Sequence, residues 1–315
     1  MEKINKLKKL FNYYNLDGYI VPKNDEFFGE YIPENKDKLK FISNFSGSHG
    51  FALILKNKNY LFVDGRYTLQ AKIQSGKFFD IVTIPNRFPS DVLKKKRLKI
   101  GFDPRLHTQK TLKIFFNKTN CELVNINQNL IDKLWIKKEN NNLKKFYILP
   151  QKAVGQNYRL KINKLINVLN KKKIDFQFIS ASENIAWLLN IRGQDSEFTP
   201  MPNAYLALDS NKKINLFCDL KKINYSFKKK FKNIKFIDIK YTDLFLAKIK
   251  NKKILIDSSY CSIYFENILR KNNKITEFLD PIYFLKSIKS KIEIKNTIKS
   301  HIYDGAALTK FLFWL

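Results

Sequence analysis

Tyr60-Leu61-Phe62-Val63-Asp64-Gly65-Arg66-Tyr67-Thr68-Leu69-Gln70-Ala71-Lys72 changes structural period halfway along its length. Tyr60 to Val63 is an apolar run of β-prone residues, and Asp64-Gly65 is a turn pair. Leu69, Ala71, Lys72 and Ile73 then fit a helix better than a strand. A strand therefore ends where a helix begins, and Arg66 sits at the junction. In open α/β sheets ligands lie in the crevice beyond strand ends, so Arg66 is the first candidate for a binding contact.

The flanking chain supplies elements of the same kind. Ile4, Leu7, Leu10 and Phe11 follow helical spacing, Asn15 to Gly18 closes that helix, and Tyr19-Ile20-Val21 is a short strand stopped by Pro22. Phe41 to Gly50 contains a polar turn rich in Gly and Ser. It leads into a hairpin made of Phe51 to Leu55, a turn at Lys56 to Asn59, and Tyr60 to Val63. Beyond the junction helix, Phe79 to Ile84 is apolar again and Leu98 to Asp103 is a further strand ahead of Pro104. A helix is expected over Thr108 to Asn117, a weak strand over Leu123 to Ile126, and an apolar anchor over Leu130 to Trp135. Polar, Asn-rich Lys137 to Lys145 reads as a linker.

The pattern then recurs. A helix over Leu160 to Leu169 runs into Ile174 to Ile179 as the first helix ran into Leu16 to Val21. Ala204 to Leu208 with Ile214 to Cys218 repeats the hairpin, and Lys253 to Asp257 repeats Leu98 to Asp103. Asp175, Ala204 and Asp257 stand at offsets of 158, 153 and 154 residues from Asp17, Phe51 and Asp103. Three landmarks in one order at nearly one offset imply two tandem copies of one α/β fold, and 315 residues is the length of about two domains. Within the second copy, Ser182 and Glu183 start a short helix over Ile185 to Leu189 that Arg192-Gly193 is expected to stop. Leu285 to Leu315 belongs to neither copy. Ile294, Ile298, Ile302, Ala306, Leu308, Phe311, Leu312 and Leu315 give it a wide apolar face, and its uncapped apolar end reads as a chain cut short.

Composition narrows the function classes. Apolar residues at 44% and aromatics at 14% describe a folded chain. The formal charge of +31 invites a nucleic-acid partner, yet only seven of the 59 basic residues are arginine. Base and phosphate readout leans on the guanidinium fork, so the excess reads as a lysine-coated surface and no nucleic-acid partner is expected. Cys121, Cys218 and Cys261 are odd in number and widely spaced, as expected of reduced, buried thiols in the cytoplasm. The N-terminal helix has no apolar signal region and no run is long enough to span a bilayer, so no membrane partner is expected. The three histidines, His49, His107 and His301, are too few to define a metal centre or a catalytic triad. His301 and Asp304 share a helix face, a spacing more usual for a solvated surface. Ser43 to Gly50 lacks the Lys-Ser/Thr end of a phosphate loop and precedes a strand, so it is read as a turn.

Taken together, several colinear stretches resemble the long, three-domain form of Xaa-Pro aminopeptidase in the creatinase/prolidase metallopeptidase superfamily. They are Asp25 with Glu30-Tyr31, Phe41 to Gly50, Asp64-Gly65-Arg66-Tyr67 with Leu69-Gln70-Ala71, and Gly101 with Asp103-Pro104. Further along come Leu130 to Trp135, Glu183 to Asp195 with Pro200, Pro281 with Leu285-Lys286 and Lys289, Glu293, and His301 to Leu308 with Trp314-Leu315. The sequence departs from the family pattern at Phe27-Phe28, where His-Gln is common, and at Asn44 and His49, where Gly and Ala are usual.

The resemblance implies two tandem creatinase N-terminal-like domains of mixed β-sheet flanked by helices, over 1–136 and 143–284, then the first helix of a pita-bread catalytic domain over 285–315. It implies a complete enzyme, homodimeric, that removes the N-terminal residue from peptides with proline second, using two Mn²⁺ ions held by two Asp, one His and two Glu. None of those five ligands is matched here, so no catalytic or metal-binding residue is assigned in this chain and none of that Mn²⁺ is expected on it. The one role carried over is Arg66 as a contact to the bound peptide, where a guanidinium can hold a carbonyl or carboxylate by charge-assisted bonds. A non-catalytic binding or assembly module of the same superfamily is the alternative. Purified chain 1–315 with added Mn²⁺ is expected to leave Xaa-Pro peptides intact, and release of the N-terminal residue in such an assay would show that the ligand assignment is wrong.

Overall fold

The computed structural model describes residues 1–94, 96–136, 144–196 and 198–315. It divides into two units. The first is Met1–Asn142 with Ser196–Thr199 and Ser258–Lys271; the second is Leu143–Asp195, Pro200–Asp257 and Asn272–Leu315.

In the first unit the chain forms α1 (Glu2–Tyr13), β1 (Gly18–Pro22), α2 (Lys38–Ser43), β2 (Gly50–Leu55), β3 (Asn59–Asp64) and α3 (Thr68–Ser75). It continues through β4 (Asp80–Ile84), α4 (Pro89–Leu93), β5 (Lys99–Phe102), α5 (Gln109–Phe116) and β6 (Glu122–Asn125). The sheet order is β4-β3-β2-β1-β5-β6. Strand β2 is antiparallel to both β1 and β3, whereas the β3–β4, β1–β5 and β5–β6 pairs are parallel. Both faces are covered, which is why these strands read as continuous apolar runs and not as alternating ones. Leu61 and Val63 face one core with Leu7, Phe11 and Ala71. Phe62 faces the other with Phe51, Leu112 and Ile263. The expected anchor is present: Leu130 and Ile131 are buried, and Trp135 stacks on Phe41 with ring centroids 4.9 Å apart.

The second half of the chain forms β7 (Tyr147–Ile148), α6 (Gln151–Val154), α7 (Tyr158–Lys171), β8 (Phe176–Ile179), α8 (Ser182–Leu189) and β9 (Ile191–Arg192). Next come β10 (Ala204–Asp209), β11 (Ile214–Cys218), α9 (Tyr225–Lys230), β12 (Ile234–Asp238), α10 (Thr242–Ala247) and β13 (Lys253–Ile256). Last are α11 (Ile263–Arg270), β14 (Lys274–Glu277), α12 (Pro281–Ser287) and α13 (Lys291–Trp314). Its large sheet has the order β12-β11-β10-β8-β13-β14, with β10 antiparallel to its neighbours and the other pairs parallel. Strand for strand this is the first sheet again, so the repeat read from the sequence is a repeat of topology.

Several local expectations differ from the structure. Part of the stretch read as a polar turn is helical: α2 starts where the Asp37 carboxylate accepts the Lys40 N–H at 2.9 Å and ends at Asn44, whose φ of 65° is left-handed. Helix α8 is stopped by left-handed Asn190 at φ 57°, not by Arg192-Gly193. Arg192 Nη1 instead donates to the Ala186 and Ile191 carbonyls at 3.1 and 2.8 Å. Cys218 and Cys261 are buried as expected, but Cys121 is only half-buried, because β6 is an edge strand. The linker expected over Lys137 to Lys145 lies, through 143, outside the described residues. The last helix begins at Lys291 behind a Ser290–Glu293 capping box and leaves Ile298, Ile302, Phe311 and Trp314 exposed. No helix among the described residues is long and apolar enough to cross a membrane.

His107, expected only in a loop, is fully buried against Phe102, with ring centroids 5.7 Å apart. Neither ring nitrogen has a hydrogen-bond partner among the described residues. Burial pushes its pKa down from 6.5 to about 3. The unfolded chain therefore takes up a proton below about pH 6.5 that the folded chain refuses, and stability falls as pH drops from 6.5 toward 3. Replacing His107 with Leu should narrow the loss of unfolding free energy between pH 7 and pH 5 by about 2 kcal/mol, as read from urea unfolding at the two pH values.

Candidate functional site

Because β2 alone runs against its sheet, the chain entering β2 and the chain leaving β1, β3, β4, β5 and β6 emerge at one edge of the first unit. The register pairs Gly50 with Val63, which brings the turn Asn44–His49 beside Asp64–Tyr67. Gly50 has a φ of 154°, and a Cβ there would lie 2.6 Å from the Phe62 carbonyl. Only glycine starts this strand without strain. Gly47 lies flat on the buried Phe45 ring, where a Cβ would approach Phe45 Cζ to 2.2 Å. Gly65, by contrast, faces open space and needs no special backbone, so its place in the Asp-Gly pair is not enforced by sterics.

The Asp64 carboxylate organises the junction. Its Oδ1 accepts the Arg66 backbone N–H at 2.9 Å, capping the single 3₁₀ turn Gly65–Tyr67. Arg66 then folds back, with Nε on Oδ1 at 3.1 Å and Nη2 on Oδ2 at 2.8 Å. These bonds hold the Asp64 carboxyl below the usual range, with His49 adding a smaller pull in the same direction, and they raise Arg66. The Arg66 side chain is 70% exposed. Two of its five N–H donors are used by Asp64, which leaves three for a ligand.

Tyr67 lies under the guanidinium, whose carbon is 5.1 Å from the ring centre. Its hydroxyl is 2.7 Å from the Ser48 hydroxyl. The next turn of the rim, Asp25–Tyr31, wraps around the Asp25 carboxylate, which accepts the N–H groups of Phe27 and Gly29 at 3.0 and 3.4 Å. Burial raises the Asp25 carboxyl while Lys36 opposes that shift. Phe27 is buried within this turn and Phe28 adopts a φ of 54°, so of the pair that stands where His-Gln is common, Phe27 is the one packed inside. Glu30 acts electrostatically on Arg66. Behind the rim Lys23 pairs with Asp37, both nearly buried, and Asp103 accepts from Asn129 Nδ2 at 2.8 Å and from the Arg105 N–H at 2.9 Å.

Of the residues singled out by sequence, the structure brings Arg66 and His49 to one edge and leaves His107 in the interior. His301 Nδ1 lies 2.9 Å from the Thr297 carbonyl one helical turn back. Among the described residues no three His, Cys, Asp or Glu side chains converge as a metal centre requires, so a dinuclear metal does not fit the donors present and no chemical step is derived through one. Sequence reasoning missed the Ser46–Gln70–Gln74 and Ser48–Tyr67 contacts, which only the hairpin register creates. It also missed that Asp219 Oδ1 and Asp238 Oδ1 accept the N–H groups of Lys221 and Lys240 at 2.9 and 3.1 Å, as Asp64 does for Arg66. That signal, Asp-x-Lys/Arg closing an apolar run, was in the sequence.

Two family models, both described as Creatinase/Prolidase N-terminal domain, match residues 3–134 and 137–293. Xaa-Pro aminopeptidase 1 of Dictyostelium discoideum is 30% identical over 100% of this chain and 53% of its own length. Xaa-Pro aminopeptidase ApepP of Drosophila melanogaster is 31% identical over 95% of this chain and 51% of its own. The solved X-prolyl aminopeptidase of Caenorhabditis elegans, described as a cytosolic enzyme with a di-nuclear active site, superposes with a TM-score of 0.89 at 25% identity, covering 100% of this chain and 55% of that one. The chain thus spans about half the length of the curated relatives it matches.

Replacing Gly47 with Ala should force Ser48 away from Tyr67 and cost about 1–3 kcal/mol through overpacking on Phe45, as measured by urea unfolding of the chain. An unchanged midpoint would mean that the turn relaxes freely.

Proposed function

This chain belongs to the creatinase/prolidase N-terminal domain family, and we propose that it is the N-terminal portion of a metal-dependent Xaa-Pro aminopeptidase whose Arg66 contacts the bound peptide. What carries this reading is the match over the whole chain to enzymes of about twice its length. In the complete protein a dinuclear centre, taken here to be Mn²⁺, is built by residues that this chain does not contain. The first unit then meets substrate through Arg66, which offers its three remaining N–H donors to a peptide carbonyl or carboxylate. Peptides with proline second are the substrates, and a cytoplasmic setting accords with the three free thiols.

The test begins with the coding sequence beyond Leu315. It should encode two Asp, one His and two Glu in metal-binding order, and their absence would favour a non-catalytic module instead. In the complete protein, Arg66→Ala should lower kcat/KM for Xaa-Pro peptides about ten- to a hundredfold with metal content unchanged. Loss of metal, or undiminished hydrolysis, would remove Arg66 from the binding role.

A further inference from the structure

Asp64 and Tyr67 both support Arg66 from within its own turn, but the contacts that hold the Tyr67 ring come from elsewhere in the fold. The Tyr67 ring packs edge-on against buried Phe45, with centroids 5.8 Å apart and planes at 79°. Its hydroxyl meets Ser48 at 2.7 Å. Ser48 sits in a turn that is itself tied to α3. The Ser46 N–H donates to Gln74 Oε1, and Ser46 Oγ accepts from Gln70 Nε2 and Gln74 Nε2, all at 2.9 Å. Contact therefore runs from the turn before β2, through Tyr67, to the face of the guanidinium.

The second unit carries a turn of similar sequence after β12, the counterpart of β4. Asp238-Ile239-Lys240-Tyr241 repeats the aspartate cap and places the Lys240 ammonium 5.0 Å from the Tyr241 ring centre. Yet the Tyr241 hydroxyl has no hydrogen-bond partner among the described residues. The local Asp-x-cation-Tyr turn therefore forms without any latch, and the latch at Tyr67 is an addition.

We propose that Tyr67, latched by Ser48, is a positioning residue that fixes the direction in which Arg66 meets the peptide. This rests on the reading of Arg66 given above. A long exposed side chain loses rotamer freedom when it is ordered. A ring held beneath the guanidinium, together with the Asp64 fork, removes that freedom before substrate arrives.

Two measurements judge the proposal. On the chain 1–315, the Arg66 Nε–H resonance should exchange with solvent about three- to tenfold faster in Ser48→Ala and in Tyr67→Phe, which keeps the ring, and faster still in Tyr67→Leu. Equal exchange in all four proteins overturns the latch. In the complete protein, the same substitutions should raise KM for Xaa-Pro peptides about three- to tenfold with little change in kcat, and should have no such effect in an Arg66→Ala background. Equal losses in both backgrounds would make Tyr67 merely structural and overturn the proposal. If the complete wild-type protein hydrolyses no Xaa-Pro peptide, the functional reading falls together with the substrate half of this one. The exchange measurement then still decides whether the latch orders Arg66.

Discussion

One antiparallel strand in an otherwise parallel sheet organises the first unit. With β2 reversed between β1 and β3, the turn that enters it and the 3₁₀ turn that leaves β3 must share an edge. The Gly50–Val63 register then sets which side chains meet. A slip of one residue would exchange the two faces of the hairpin, moving Leu61 and Val63 out of the core they share with Phe11 and Ala71. Since both faces of β2 and β3 are packed, such a slip would put every residue of the pair in the wrong core. The position of Arg66 therefore depends on apolar packing some distance from it.

The second unit shows the same topology put to another use. Where β3 of the first sheet ends at an exposed guanidinium, its counterpart β11 ends at an Asp219-capped turn that carries Lys221, and the second unit instead buries a carboxylate after β14, the counterpart of β6. Asp280 accepts from Gln177 Nε2 at 2.9 Å, Asn184 Nδ2 at 2.8 Å and the Ile282 N–H at 2.9 Å, and its own N–H donates to Asp257 at 3.1 Å. Burial pushes its carboxyl up against these bonds. Nearby, the Lys161 ammonium is buried on the end of α8, donating to the Trp187 carbonyl at 2.9 Å and to Asn190 Oδ1 at 2.6 Å, with burial lowering it to about 8. These polar groups join β8, α8, α7 and α12 into one body. Their removal singly would leave buried partners unpaired, which marks them as structural.

Much of the architecture was legible because apolar runs, turn pairs and caps are local signals. The strand Tyr60 to Val63, the hairpin that contains it, the helix after Thr108 and the order of the second copy all follow from residues close in sequence. Local errors had local causes. Asn44 and Asn190 end helices by adopting the left-handed conformation, which asparagine shares with glycine, and neither announces itself among so many asparagines. His107 does lie in the loop between β5 and α5, as read; what the residues around it did not signal is that this loop is packed into the interior.

The amino-acid sequence by itself determined the two copies of the fold, the strand-to-helix junctions and the Asp-capped turns at Arg66, Lys221 and Lys240, since each depends on side chains reaching backbone within a few residues. Tertiary structure alone decided that Arg66 differs from the two lysines. The Ser48 hydroxyl and the Phe45 ring arrive at Tyr67 only through the register of β2 on β3, an interaction between segments some twenty residues apart whose geometry is set by the packing of the sheet.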